Sequence, residues 1–249
     1  MTFMNRQTIS SIAHGEHPIG APLQDASVER LLGRALVRGD ERVLDLGCGA
    51  AEWLARAAAG RPGVTGDGVD LSEPALARGQ ERLDAAGLGE RVTLHRRDAM
   101  TFRDPEPYDA VLCIGSTYAF GGLMPTLDAC GRHLARKGRV LVGEAFWERE
   151  PNARTLAAGF EKDDYTDLAG TVARVTEAGW TPVYAHVSTR AEWDDYEWSW
   201  TGTLSAWALD HPSHRGANEA LAEAESHREA WLEGYRGALG FVTFVLRWD

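Results

Sequence analysis

VLDLGCGAAEW, residues 43–53, decides how this sequence folds. An apolar strand runs to Asp45, a Gly-x-Gly turn follows at Gly47 and Gly49, and a helix begins at once. Glycines without side chains let a ligand approach the backbone closely. The start of the helix offers unpaired N–H groups and a partial positive charge. Outward from this turn, strand and helix signals alternate. Upstream, Val28, Leu31, Leu32, Ala35 and Leu36 recur at helical spacing within residues 25–38. The spacing then predicts strands over 42–46, 64–71, 91–95 and 108–114, and helices over 50–59, 73–86 and 123–135, with KGRVLVGEAF (137–146) as a fifth strand. Strands and helices of this length in alternation imply parallel βαβ units. Residues 1–24 read as an arm without sustained periodicity. After Trp147 the rhythm changes: 148–167 is polar and irregular, 168–178 helical, 182–188 a strand, 191–238 mostly helical, and GFVTFVLRW (240–248) a closing strand.

Bulk properties exclude several classes. With 249 residues the chain can bury a substantial core as one domain. The expected division is an arm (1–24), a core (25–190), a helical cap inserted at 191–238, and a final strand (239–249). Twenty-six basic against 37 acidic residues give a net charge of −11. That balance argues against nucleic acid and against anionic membranes, both of which select basic surfaces. The cysteines Cys48, Cys113 and Cys130 are far apart and form no CxxC pair, so neither a zinc ribbon nor a disulfide scaffold is expected. No apolar stretch approaches the roughly 20 residues of a membrane span, and the first residues carry no apolar signal core. A cytoplasmic setting follows as the default; oligomeric state is not legible.

Three acids stand at successive strand ends: Asp45, Asp70 in GVDLS (68–72) and Asp98 in RRDAM (96–100). Open α/β sheets bind ligands at the carboxyl ends of their strands, where a carboxylate can accept hydrogen bonds from ribose hydroxyls. Asp98 can accept one from an adenine amino group, with Ala99 and Met100 lining the base. Any one acid alone also reads as an ordinary turn or strand-end residue. A dinucleotide is disfavoured because Glu52 replaces the third glycine of GxGxxG, where a diphosphate would meet a carboxylate. S-adenosylmethionine, with an ammonium, a sulfonium and no phosphate, suits an acidic site better. Here the chain resembles the class I S-adenosylmethionine-dependent methyltransferases, on VLDLGCGAAEW, GVDLS, RRDAM, YDAVLCIGS and GRVLVGEAFW in the family's order, over roughly 40–147. The resemblance implies a Rossmann-like, doubly wound, seven-stranded, mostly parallel sheet with the last strand antiparallel. It also implies that Gly47 and Gly49 contact the methionine part, Asp70 the ribose and Asp98 the adenine. Leu71 and Ile114, at neighbouring strand ends, complete the expected cofactor set.

Methyl transfer needs alignment of an acceptor and exclusion of water more than covalent help. Ser116 and Tyr118 follow the fourth strand, where an [ND]PP[YF] motif of base methylases is missing. Glu144 and Trp147 close the fifth strand. Glu144 can anchor an amine or act as base, or it can pair with a nearby arginine. Cys113 reads as a buried strand residue rather than a nucleophile. His14 in the arm can accept a proton near neutral pH, or it can simply pack there. His14 and His17 have metal-compatible spacing, but no further ligands join them, so no metal is expected. Trp193, Tyr196, Trp200 and Trp207 fall on one broad helical face, with Tyr196 a substrate candidate and core packing the alternative. The expected reaction is methylation of a small molecule, with an amine as one candidate acceptor and S-adenosylhomocysteine as product. The rivals are other chemistry on the same cofactor and cofactor binding without turnover.

Overall fold

The structure is a computed structural model that describes residues 4–248; the first three residues of the arm and residue 249 lie outside it. In chain order the elements are α1 (Arg6–Ala13), α2 (Asp25–Ala35), β1 (Arg42–Leu46), α3 (Glu52–Ala59), β2 (Thr65–Asp70), α4 (Glu73–Ala85), β3 (Val92–Arg96) and β4 (Tyr108–Cys113). There follow α5 (Leu123–His133), β5 (Leu134–Trp147), α6 (Ala153–Ala157), α7 (Leu168–Glu177), β6 (Trp180–Val187), α8 (Arg190–Asp210), α9 (Ala217–Glu229) and β7 (Leu239–Trp248). The chain divides into two compact units. A sheet unit comprises Gln24–Glu144, Ala169–Val187 and Phe241–Asp249, and a helical unit comprises Met1–Leu23, Ala145–Leu168 and Ser188–Gly240.

The sheet has seven strands in the order β3-β2-β1-β4-β5-β7-β6. β1 pairs in parallel with both β2 and β4, β4 pairs in parallel with β5, and β7 runs antiparallel to β6. This is the expected doubly wound sheet with its last strand reversed. Val43, Leu44 and Leu46 of β1, Val111 and Leu112 of β4, and Val140, Leu141 and Val142 of β5 are fully buried. Such unbroken apolar runs are what a parallel sheet covered on both faces requires. Strand order reverses between β1 and β4, and that switch point is where such sheets bind ligands. At the start of β1, Arg42 caps the sheet. Its Nη2 donates to Asp67 at 3.1 Å, Asp104 at 3.0 Å and the Tyr108 hydroxyl at 3.1 Å.

In the helical unit, α1 and α9 pack on α8 around Met4, Ala13, Leu204, Ala208, Ala217, Ala220 and Ala224. A second cluster holds Trp147, Trp231, Tyr235 and Leu239. After α9 the chain widens into a π-helical turn, Ala230–Tyr235. A buried carboxylate, Glu197, is satisfied there as its burial demands: it accepts from the Tyr235 hydroxyl at 2.9 Å and meets His227 Nε2 at 2.8 Å. Trp200 stacks on the same imidazole at 4.0 Å between ring centroids.

Several local expectations are corrected. The arm contains α1, a short helix started by the Asn5 side chain, which accepts from the Thr8 N–H at 2.8 Å. Ile9 and Ile12 fasten it to the core, a tertiary contact too sparse to register as periodicity. Residues 148–167 contain α6 and a 3-10 turn, Lys162–Asp164. Helix α3 starts at Glu52 rather than residue 50, because Ala51 takes a left-handed conformation with φ 57°. On α8 the buried face is Glu192, Glu197, Thr201, Leu204 and Ala208, not the aromatic one. Trp193 joins one cluster and Trp200 and Trp207 the other. Among the described residues, no helix is long and apolar enough to cross a membrane.

Candidate active site

The turn after β1 is built by close approach. Gly47 has φ 82°, and a Cβ there would lie 2.5 Å from both Cβ and Oγ of Ser116. Only glycine lets the loops after β1 and β4 meet this way. Ser116 Oγ donates back to the Gly47 carbonyl at 3.4 Å, and the Gly47 and Cys48 N–H groups both donate to the Val69 carbonyl, at 2.8 and 3.1 Å. Gly49 has φ 52° and open space where its Cβ would stand. Its N–H donates to Asp70 Oδ2 at 2.9 Å, and the Ser72 N–H donates to Oδ1 at 2.7 Å. Asp70 therefore ties the glycine turn to the start of α4. Each of its oxygens keeps a lone pair for a further donor.

Asp45 is 2% exposed, and its Oδ2 is enclosed without a hydrogen-bond partner among the described residues. Burial first, and the nearby Asp70 charge second, push its pKa up to about 8. A buried carboxyl with one uncommitted oxygen is a receptor for a donor or a cation. After β3, Asp98 is exposed, and its Oδ1 accepts from the Met100 N–H at 2.8 Å, shaping the loop. Leu71 and Met100 are 57% and 49% exposed, apolar side chains held open at adjoining strand ends. Ala99 is half-buried and Ile114 buried.

Glu52 requires a correction. Its carboxylate does not stand free before a ligand: Arg56 Nε meets Oε1 at 2.7 Å and Arg82 Nε meets Oε2 at 3.0 Å. The repulsion expected against a diphosphate is therefore largely cancelled by these two guanidinium groups. Cys113 is buried, and burial holds its thiol well above the ordinary range, so it is no nucleophile.

In the sheet unit, Asp45, Gly47, Gly49, Asp70 and Ser116 are brought together, and Leu71, Asp98, Ala99, Met100 and Ile114 occupy the adjoining strand ends. Glu144 is buried in β5, and Tyr118 is 77% exposed on the 3-10 turn Thr117–Phe120. In the helical unit, the His14 and His17 rings lie 5.9 and 5.4 Å from Tyr196, and His17 Nε2 is 4.0 Å from Asp195. Trp147 is committed to packing: its indole N–H donates to the Lys162 carbonyl at 3.1 Å, and its ring meets Phe160 and Tyr165 edge-on. Two contributions escaped the sequence reading. Ser72, whose N–H fixes Asp70, carries a visible signal as the N-cap before Glu73 and Pro74. The Ser116–Gly47 approach carries none, since it joins loops remote in sequence.

A mostly parallel, doubly wound sheet with a glycine turn and carboxylates at three successive strand ends is a Rossmann-like arrangement, the kind that takes its ligand at the strand ends. Comparison with known proteins narrows the class. Residues 43–138 match the methyltransferase domain family. The Escherichia coli protein YjhP is 28% identical, over 98% of this chain and 99% of its own. Two S-adenosylmethionine-dependent methyltransferases, from Geobacter sulfurreducens and Thiobacillus denitrificans, were solved in complex with S-adenosyl-L-homocysteine. Each has a TM-score of 0.89 at 27% identity, the first over 99% of both chains and the second over 100% of both. The family match and these likenesses support a class I S-adenosylmethionine-dependent methyltransferase.

Proposed function

We propose that this protein transfers a methyl group from S-adenosylmethionine to a small-molecule acceptor, releasing S-adenosylhomocysteine. The observation that carries the reading is the buried Asp45 with its uncommitted oxygen, beside a glycine turn locked by Asp70. When bound, the cofactor supplies a methyl group already activated by its sulfonium. The chain's residues do the rest. Gly47 and Gly49 leave room for the methionine part, and Asp45 offers its oxygen to a positive group. Asp70 accepts from ribose hydroxyls through its remaining lone pairs, and Asp98 accepts from the adenine amino group. Leu71, Ala99, Met100 and Ile114 provide apolar surface for the base.

For the acceptor we assign Ser116, Tyr118 and Glu144 of the sheet unit. Glu144 would anchor or deprotonate an amine. The net charge of −11 favours a small molecule over nucleic acid. Three buried, unpaired cysteines fit a reducing cytoplasm.

The test is incubation with methyl-labelled cofactor and a metabolite extract. The expected result is label in a small acceptor that has gained one CH₂; cofactor consumption with no methylated acceptor would overturn the reading. Once an acceptor is found, Glu144→Gln should lower kcat/KM by about 2–4 kcal/mol, because it removes a charge from a buried site. Cofactor affinity should be kept. A change in thermal stability alone would overturn this role for Glu144.

A further inference from the structure

A cavity of about 230 Å³ lies within the helical unit, at the start of α8. It is bounded by Ser188 and Arg190, by the rings of Trp193, Trp231 and Tyr235, and by Arg149, Glu148 and the Arg236–Asp194 pair. Ser188 is 7% exposed, and its Oγ is enclosed without a hydrogen-bond partner. A buried hydroxyl left this way is destabilising unless something else meets it.

The charges on the wall are unbalanced. Arg236 is held in a two-pronged pair by Asp194, at 2.8 and 2.7 Å. Among the described residues, no carboxylate pairs with Arg149 or Arg190. Glu148 is the one remaining acid on the wall. The Arg190 guanidinium lies over the Gly237 backbone, where a Cβ would come within 2.6 Å of Nη2. Arg190 is also the first residue of the 21-residue helix α8, whose N-terminal donors are met by the Thr189–Glu192 capping box, so its guanidinium is what this end of the helix offers an anion.

The apolar wall is equally specific. Trp231 and Tyr235 stand on the π-helical turn, a rare backbone form that recurs at functional sites. The Tyr235 hydroxyl is already given to Glu197, so its ring is what remains to offer. A cavity of about 230 Å³ suits a small molecule.

We propose that this cavity binds a small aromatic monocarboxylate, with Arg190 holding the carboxylate, Ser188 hydrogen-bonding it and the tryptophans flanking the ring. A guanidinium fork matches a planar carboxylate, and Glu148 opposes a doubly charged phosphate. Binding requires neither cofactor nor methyl transfer.

The experiment is titration of the full chain with phenylacetate and indole-3-acetate, followed by calorimetry, with phenylacetamide, phenethylamine and inorganic phosphate as comparisons. Saturable binding of the acids is expected, with the neutral amide and the amine weaker by about tenfold or more. Arg190→Gln should weaken the acids by a similar factor and leave the melting temperature and S-adenosylhomocysteine binding unchanged. Ser188→Ala should weaken them by a smaller factor. Failure of both acids to saturate, equal affinity for the amide, preference for phosphate, or indifference to Arg190→Gln would overturn the assignment. S-adenosylhomocysteine titrated into the same sample reports separately on the methyltransferase reading.

Discussion

Asp45 is where burial and chemistry pull against each other. In the folded, ligand-free protein its carboxyl keeps its proton up to about pH 8, whereas an unfolded chain would release it near 3.8. Between those values the folded state binds more protons, so this group's contribution to stability falls as pH rises; it is full below the lower value and gone above the upper. A cationic ligand prefers the ionised carboxylate. Cofactor affinity should therefore rise from pH 6 to about pH 8, and binding at pH 7 should expel a proton. Calorimetry in two buffers of different ionisation enthalpy measures that proton directly. Asp45→Asn should reduce the release, and identical heats in both buffers for the unchanged protein would contradict the assignment.

Among the elements, the critical joint is the pair of loops after β1 and β4. Gly47→Ala should cost about 2–4 kcal/mol, from a left-handed backbone and a Cβ driven into Ser116. Ser116→Gly removes the clash but not the backbone strain. A double-mutant cycle by denaturant unfolding should then show a coupling of about 1 kcal/mol or more; strict additivity would mean that the loops do not meet. The glycines of this joint were legible because a Gly-x-Gly after an apolar strand has few other uses. The parallel βαβ units were legible because alternating strands and helices leave few topologies; the reversed last strand was legible only through the family resemblance. What escaped was set by partners distant in sequence. Arg82 neutralises Glu52 from another helix, and α1 becomes a helix only through Ile9 and Ile12 against the core. The buried face of α8 is led by Glu192 and Glu197, which polarity assigns to solvent until the Thr189 cap, Tyr235 and His227 are seen to satisfy them.

For the whole molecule, a charge of −11 repels phosphates at long range. Gel-shift assays with duplex and single-stranded oligonucleotides should show no submicromolar, salt-sensitive binding, and finding it would reopen the acceptor class. The central claim concerns the cofactor, and calorimetric titration with S-adenosylhomocysteine and with NAD tests it most directly. S-adenosylhomocysteine should bind one to one, NAD should give no comparable heat, and Asp70→Ala should weaken the former by about 1.5–3 kcal/mol, the scale of hydrogen bonds to a charged group. Tight binding of NAD with none of S-adenosylhomocysteine would contradict the account, and so would an Asp70→Ala variant with unchanged affinity.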